Sequence, residues 1–333
     1  MQLEVFDSPT AFDALADVWD DLLARSIHDT LFLTHAWQRT WWQVLGDGEL
    51  RIIAMRDGRS VVGIAPIFFE PHSLGQVNVA FVGCKEVSDY LDFIFLRGCE
   101  AECFAALIDF LRSADAPHWD SLSFCNVVEH SPTLSLFAEL LRGCGWKVHI
   151  AFEDVCPILE LPPSFEAYLS MLDGKARREL QRKLRRATED VAITFANDSA
   201  RLGQDVDDFI RLMKASTPEK HAFMTPRMER FFHAIARTMF EHGRLQLAFL
   251  EVGGARAATY MNFTYKGTTL VYNSGLEPNQ YAYLSPGQVL LARLIEKAIA
   301  DGQRYVDFLQ GDEPYKYELG GKDTRLYTLS ATR

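Results

Sequence analysis

With 333 residues, 48% of them hydrophobic, the chain is long enough to bury two ordinary cores. Its formal charge of -11 argues against binding of duplex nucleic acid, which needs many cationic contacts spread over one face. The six cysteines form no Cys-x-x-Cys pair and have no histidines at zinc-ligand spacing beside them, so no metal is expected and the thiols read as reduced and buried.

Residues 1–9 alternate polar and apolar without a basic start, which is not a signal peptide, and no later run has the apolar length of a membrane span. The expectation is a cytoplasmic protein, with the inner face of a membrane as a second setting. The pattern predicts a strand over 3–6 and helices over 9–25 and 34–45, the second capped by Thr34. Trp37 and Trp41 have helical spacing and read, with Trp42, as core rather than as a sugar platform. Strands over 51–55 and 60–69 make a hairpin, and 76–82 and 91–96 extend the sheet. Helix 101–113, strand 121–125, helix 133–144 and strand 147–152 complete this half.

All six Trp and all six Cys precede Pro157, and Leu161-Pro162-Pro163-Ser164 opens a segment with neither type. The expected division is therefore 1–160 and 161–333. The second half repeats the element order, with helices over 164–190 and 205–242 flanking a strand at 192–196. Strands follow at 245–252, 256–265 and 268–275, then a helix over 286–301 and strands at 305–309 and 325–331. The fold class is α+β with a mixed sheet, built as a tandem pair.

Three motifs carry the chemistry. Ser285-Pro286-Gly287 opens a helix, whose first unpaired N–H groups and positive dipole can hold a phosphate; a plain helix start with proline in its first turn is the competing reading. Gly311-Asp312-Glu313-Pro314-Tyr315-Lys316 follows a strand end, where polar groups project into the cleft of an open sheet. The run 175–186 holds seven basic residues and one acid, with Ala176, Leu180, Leu184 and Ala187 on the opposite face. It reads as a solvated helix face, or as a site for an anionic acceptor, a cofactor phosphate, an acidic membrane surface or tRNA.

With Tyr272-Asn273-Ser274-Gly275, Tyr283-Leu284-Ser285-Pro286-Gly287 and the 311–316 cluster in this order, the chain resembles the GNAT acyltransferase superfamily. Within it, it is similar to the CelD/BcsL-type acetyltransferases, relatives of the FemAB peptidyltransferases. Ser88-Asp89-Tyr90-Leu91-Asp92 is the main signature of the first half. The resemblance implies two tandem GNAT-like domains, the first a scaffold and acceptor side without CoA. It implies that strand 268–275 splays from 305–309 around the donor, with acetyl-CoA or another acyl-CoA as co-substrate. It further implies transfer to an amine or hydroxyl of a small molecule or glycan, beside polysaccharide-synthesis machinery. One departure stands out: the loop lacks the glycine-rich Arg/Gln-x-x-Gly-x-Gly/Ala string.

Carried onto this sequence, Asn273, Ser274, Gly275, Ser285, Pro286, Gly287, Gln288 and Val289 would contact the donor. Glu313 is the expected general base, and Tyr272 or Tyr315 the group that protonates the departing thiolate. A solvated turn around Pro314 competes with that reading. Asp89, Tyr90, Asp92, His221, Asp312 and Lys316 are the expected acceptor contacts. Strand alternation would put Tyr90 and Asp92 on one face and Asp89 on the other; an edge strand open to solvent competes there, and a surface-loop histidine competes for His221. No thiol lies in the second half, so direct transfer without a covalent enzyme intermediate is expected. A donor of the aminoacyl-tRNA kind is disfavoured by the acidic total and the lack of an inserted coiled-coil arm. A non-catalytic pair of domains binding a glycan or a synthase is the reading from another class.

Overall fold

The computed structural model describes residues 1–72, 75–84, 87–187 and 191–333. The chain forms two compact units, Met1–Asp154 with Thr324–Arg333, and Val155–Asp323. Sequence reading puts the division near Leu161 and leaves the C-terminal strand in the second half. The structure divides between Asp154 and Val155, inside one strand, and the last ten residues fold with the first unit.

The first unit opens with β1 (Gln2–Phe6), α1 (Thr10–Leu23) and α2 (His35–Leu45), whose cap Thr34 accepts from the Trp37 amide at 3.4 Å. The hairpin β2 (Glu49–Asp57) and β3 (Ser60–Pro71) is followed by β4 (Val77–Phe81) and the two-residue β5 (Ile94–Phe95). Then come α3 (Glu100–Arg112), β6 (Ser121–Val128), α4 (Ala138–Gly143) and the start of β7 (Lys147–Glu160). Trp37 and Trp41 are fully buried, as the helical spacing predicts.

Two expectations for this unit fail. Cys84 and Cys125 are joined by a disulfide across 41 residues of sequence. The other four cysteines are free, and burial pushes the Cys103 thiol up to about 12. The strand expected over 91–96 shrinks to β5, and Tyr90, just before it, takes a left-handed backbone at φ 51°.

The second unit continues with α5 (Phe165–Met171), α6 (Gly174–Arg186), β8 (Val191–Phe195), α7 (Leu202–Ser216), α8 (Pro218–Phe223) and α9 (Pro226–Glu241). The single helix expected over 164–190 is broken at Leu172, and Asp173 caps α6 through the Lys175 amide at 2.8 Å. That expected over 205–242 is cut twice, at Thr217-Pro218 and Thr225-Pro226, where each threonine caps a new helix opening on proline. Next are β9 (Leu245–Val252), β10 (Ala255–Tyr265), β11 (Thr268–Leu276), α10 (Pro286–Ala300), β12 (Tyr305–Asp307), α11 (Pro314–Glu318) and β13 (Lys322–Thr332).

In the first unit the strand order is β1-β2-β3-β4-β6-β13-β7, with β4 and β6 parallel. In the second, β7 from Val155 onward leads the order β7-β12-β11-β10-β9-β8, with β11 and β12 parallel. A core of Val289, Leu290, Leu294 and Ile295 from α10, Leu180 and Leu184 from α6, and Leu250, Val271 and Val306 from the sheet seals one face. Among the described residues no helix is long and apolar enough to cross a membrane, and no cluster of His, Cys, Asp or Glu could hold a metal ion.

Candidate active site

The ladder between β11 and β12 has three pairs, Thr268 to Tyr305, Thr269 to Val306 and Leu270 to Asp307, and then stops. The chain after β12 turns away for identifiable reasons. Leu309 adopts a left-handed backbone at φ 55°, fixed by its amide donating to Asp307 Oδ1 at 2.8 Å. The Phe308 and Gly311 amides pair instead with the Pro157 and Val155 carbonyls, both at 2.9 Å. From Val271 to Leu276, β11 therefore has strand partners among the described residues only on its β10 side. There the register slips between Met261 and Asn262, leaving Tyr272 as an extra residue in a bulge.

Short α8 crosses beside this unpaired stretch. Lys220 Nζ donates to the Ser274 carbonyl at 2.6 Å and to Ser274 Oγ at 3.2 Å. Ser216 Oγ takes the Leu276 amide at 2.8 Å, and Asn273 Oδ1 takes the Ser274 amide at 3.2 Å. Gly275 is required by the packing: a Cβ there would stand 2.3 Å from the Met213 nitrogen and 2.5 Å from the Leu212 carbonyl carbon of α7. Tyr260, opposite Ser274 in the β10 register, hydrogen-bonds the Ser274 side chain.

Glu313, Tyr315 and Lys316 arrive from the turn into α11. Lys316 is buried, and its ammonium donates to the Leu309, Gln310 and Gly311 carbonyls at 2.9, 2.8 and 3.1 Å while pairing with Glu313 Oε2 at 2.9 Å. Gly311, at φ 119°, leaves the space into which the Glu313 carboxylate folds. The charge of Glu313 is felt at Lys220, Tyr260 and Tyr315. Burial lowers the Lys220 pKa despite the Glu313 charge, which favours the ammonium. Burial, with the neighbouring Glu313 charge, raises both phenols well above the ordinary tyrosine range, so Tyr260 and Tyr315 are protonated donors at neutral pH.

Next to this cluster is a cavity of about 440 Å³ with walls from Leu172, Leu180, Leu319, Lys175, Lys183 and Gln288. Lys183 hydrogen-bonds Gln288 Oε1, and Arg186 donates to the Tyr283 carbonyl at 2.9 Å, so the basic face of α6 flanks the start of α10. A larger hollow of about 830 Å³ surrounds Arg256, but that guanidinium is already bridged to Asp205 and Asp208 and lies over the Phe249 ring.

The expected phosphate loop differs from its reading. Ser285 takes a left-handed backbone, and its carbonyl accepts from both the Gln288 and Val289 amides at 3.1 Å. Pro286 has no N–H, so Gly287 carries the one amide of this turn without an acceptor among the described residues. Backbone donors expected at Gln288 and Val289 are thus committed within the helix. Lys316, expected to hold an acceptor phosphate, has its ammonium protons engaged by carbonyls and Glu313. The Tyr272 ring packs against Phe232 and Phe263, with centroids 5.9 and 5.0 Å away, and Tyr260 stands beside Ser274 instead. His221 and Asp312 are exposed.

In the first unit, Asp92 is buried and accepts from Thr133 Oγ1 at 2.5 Å, from Ser131 Oγ and from the Phe93 amide at 2.8 Å. Those bonds are all internal to the first unit. Asp89 is buried and Tyr90 half-buried. Lys220 and Tyr260 were missed by sequence reasoning: the Lys266-Gly267 turn alone would pair Tyr260 with Asn273, and the bulge at Tyr272 moves it onto Ser274.

Residues 174–317 match a family model described as an acetyltransferase (GNAT) domain, and the fold is that of tandem GNAT proteins. No curated protein matches the chain. Among solved structures, FemX aligns with a TM-score of 0.70 at 13% identity, over 98% of this chain and 97% of its own. L-PGS from Bacillus licheniformis aligns at 0.58 and 11%, over 98% and 92%. A tandem GNAT protein from the clavulanic acid biosynthesis pathway aligns at 0.54 and 12%, over 99% and 98%.

Proposed function

We propose that the second unit transfers an acyl group from an acyl-CoA, acetyl-CoA first among them, to an amino or hydroxyl group. The acceptor class we favour, following the CelD/BcsL-type resemblance, is a cell-envelope or exopolysaccharide sugar or its precursor. The observation that carries this reading is the early end of the β11–β12 ladder, which among the described residues leaves the second half of β11 without a partner on that side, beside a cluster of Lys220, Ser274, Tyr260, Glu313 and Tyr315. The adjoining cavity offers Leu172, Leu180 and Leu319 to an alkyl amide chain, and at its α6 side Lys175 and Lys183 stand among Asp173, Glu179 and Glu318, with Lys183 paired to Glu179 at 3.4 Å.

Glu313 is the residue we assign to take the acceptor proton, directly or through water. Tyr315, held as a phenol, donates to the departing sulfur. The first unit, on the same resemblance, is assigned a scaffold role.

A second donor class has one specific observation behind it. On α6, Lys175, Arg178, Arg182, Arg185 and Arg186 are exposed, with Glu179 the one acid of the helix. Such a face also suits the phosphates of an aminoacyl-tRNA. Calorimetry with acetyl-CoA separates the two: saturable heat that weakens in Lys183→Glu supports the CoA reading. No heat with acetyl-CoA, together with salt-sensitive binding of charged tRNA, replaces it.

A further inference from the structure

We propose that Ser274, Lys220 and Tyr260 form a serine-nucleophile site, through which the second unit carries the acyl group as a Ser274 ester. The donor's identity rests on the acyltransferase reading above; the nucleophile does not. Absence of thiols from this half excluded only a cysteine route, and a hydroxyl beside an amine serves the same purpose.

Placement comes first. Ser274 lies four residues past Leu270, where the β11–β12 ladder ends, so its backbone carbonyl has no strand partner and takes Lys220 instead, while its hydroxyl points to the sheet face it shares with Tyr260. Two side chains converge on that hydroxyl: Lys220 Nζ at 3.2 Å and the Tyr260 hydroxyl from the neighbouring strand. Lys220 is anchored from its own side, because its amide closes the first turn of α8 on Thr217 Oγ1 at 3.2 Å.

The same nitrogen also donates to the Ser274 carbonyl at 2.6 Å. A neutral amine has N–H donors and one lone pair. With an N–H committed to the carbonyl, the lone pair can turn toward Oγ, the geometry of a base waiting for a proton. Burial favours this neutral form, and Glu313 is the charged group that opposes it. Among the described residues no other charged group shifts Lys220, and the phenols Tyr260 and Tyr315 are held neutral.

The step balances. The Ser274 Oγ–H proton passes to Lys220 Nζ as Oγ bonds the acyl carbon. The thioester C–S bond then breaks, and the leaving sulfur takes its proton from the Tyr315 phenol, leaving Lys220 as the ammonium. In the second half, an acceptor amine or hydroxyl attacks the Ser274 ester and gives its proton to Glu313, Oγ takes its proton back from the Lys220 ammonium as it leaves, and the Glu313 proton returns to Tyr315. With water in place of the acceptor, the net reaction is hydrolysis of the donor.

The test uses the full-length chain and two probes that do not depend on CoA recognition, a fluorophosphonate and p-nitrophenyl acetate. Peptide mapping is expected to place the phosphonate on Ser274. p-Nitrophenyl acetate should give a burst of one nitrophenolate per chain, with an acetyl ester on the same residue. Ser274→Ala should abolish both signals. Lys220→Arg keeps a donor to the Ser274 carbonyl but no base, and should slow labelling roughly a hundredfold with an unchanged melting temperature. Absence of Ser274 labelling in folded wild-type protein overturns the proposal. So does a Ser274→Ala variant that transfers from acetyl-CoA at the wild-type rate, a result that would leave the acyltransferase reading standing as direct transfer. Labelling at Ser274 with no affinity for acetyl-CoA would do the reverse, removing the donor assignment and keeping the nucleophile.

Discussion

Replacing Lys316 by methionine tests how the turn that carries Glu313 is held. The side chain is buried, and its ammonium satisfies three consecutive carbonyls and one carboxylate. Methionine has nearly the same length and no donor. Glu313, with 55% of its side chain exposed, rehydrates, as does the carbonyl of exposed Gln310. The Leu309 carbonyl is buried and does not. Stranding one buried acceptor costs about 1–3 kcal/mol, and loss of the remaining charged hydrogen bonds brings the total to about 2–4 kcal/mol. In a unit of this size each kcal/mol lowers the melting temperature by about 2–4 °C, so a fall of roughly 5–15 °C is expected. Differential scanning calorimetry reads it directly. A shift under about 2 °C would mean that Lys316 does not hold the turn, and the account of why the chain leaves β11 after Leu270 would fail with it.

Glu313→Gln should leave acetyl-CoA affinity by calorimetry unchanged while turnover drops about a hundredfold; unchanged turnover puts the base elsewhere. Gly275→Ala forces a methyl into the backbone of α7 and should destabilise by about 1–3 kcal/mol in urea unfolding, with no change disproving the close approach. Burial raises the Asp92 pKa above its ordinary 3.8, against the opposing pull of His28, Ser131, Thr133 and the Phe93 amide. A carboxyl raised on folding contributes its full stability below the unfolded pKa and loses it as pH rises through the folded one. Asp92→Asn should therefore cost more at about pH 4.5 than at about pH 8, and a pH-independent difference in urea midpoints would refute this.

How far the sequence reaches is clear from neighbouring segments. The run from β9 to α10 was legible because Gly253-Gly254 and Lys266-Gly267 punctuate apolar strands and Ser285-Pro286 starts a helix; local chemistry decides each of those boundaries. The same logic was available at Thr217-Pro218 and Thr225-Pro226, where each threonine caps and each proline opens a helix, but strong 3.6-residue periodicity through 205–242 hid the breaks. The disulfide was beyond reach, since 41 residues separate Cys84 from Cys125 and only the fold brings them together.

Lys220 shows why the centre of the site was harder to read than its frame. In Thr217-Pro218-Glu219-Lys220 a lysine has every local reason to point into water, and its neighbour His221 does stay exposed. What draws Lys220 inward is an acceptor with no strand partner, the Ser274 carbonyl, and that acceptor exists only because β12 turns off after Asp307. The turn depends in its own right on Asp307 holding the Leu309 amide and on Lys316 holding the carbonyls that follow. A residue some fifty positions upstream of β11 is thus recruited by a break in a β ladder, and a periodicity argument on either segment alone cannot see it. The polar cluster at 311–316 was found because its residues are adjacent in sequence; the groups that complete it come from α8 and β10, and only the tertiary fold joins them.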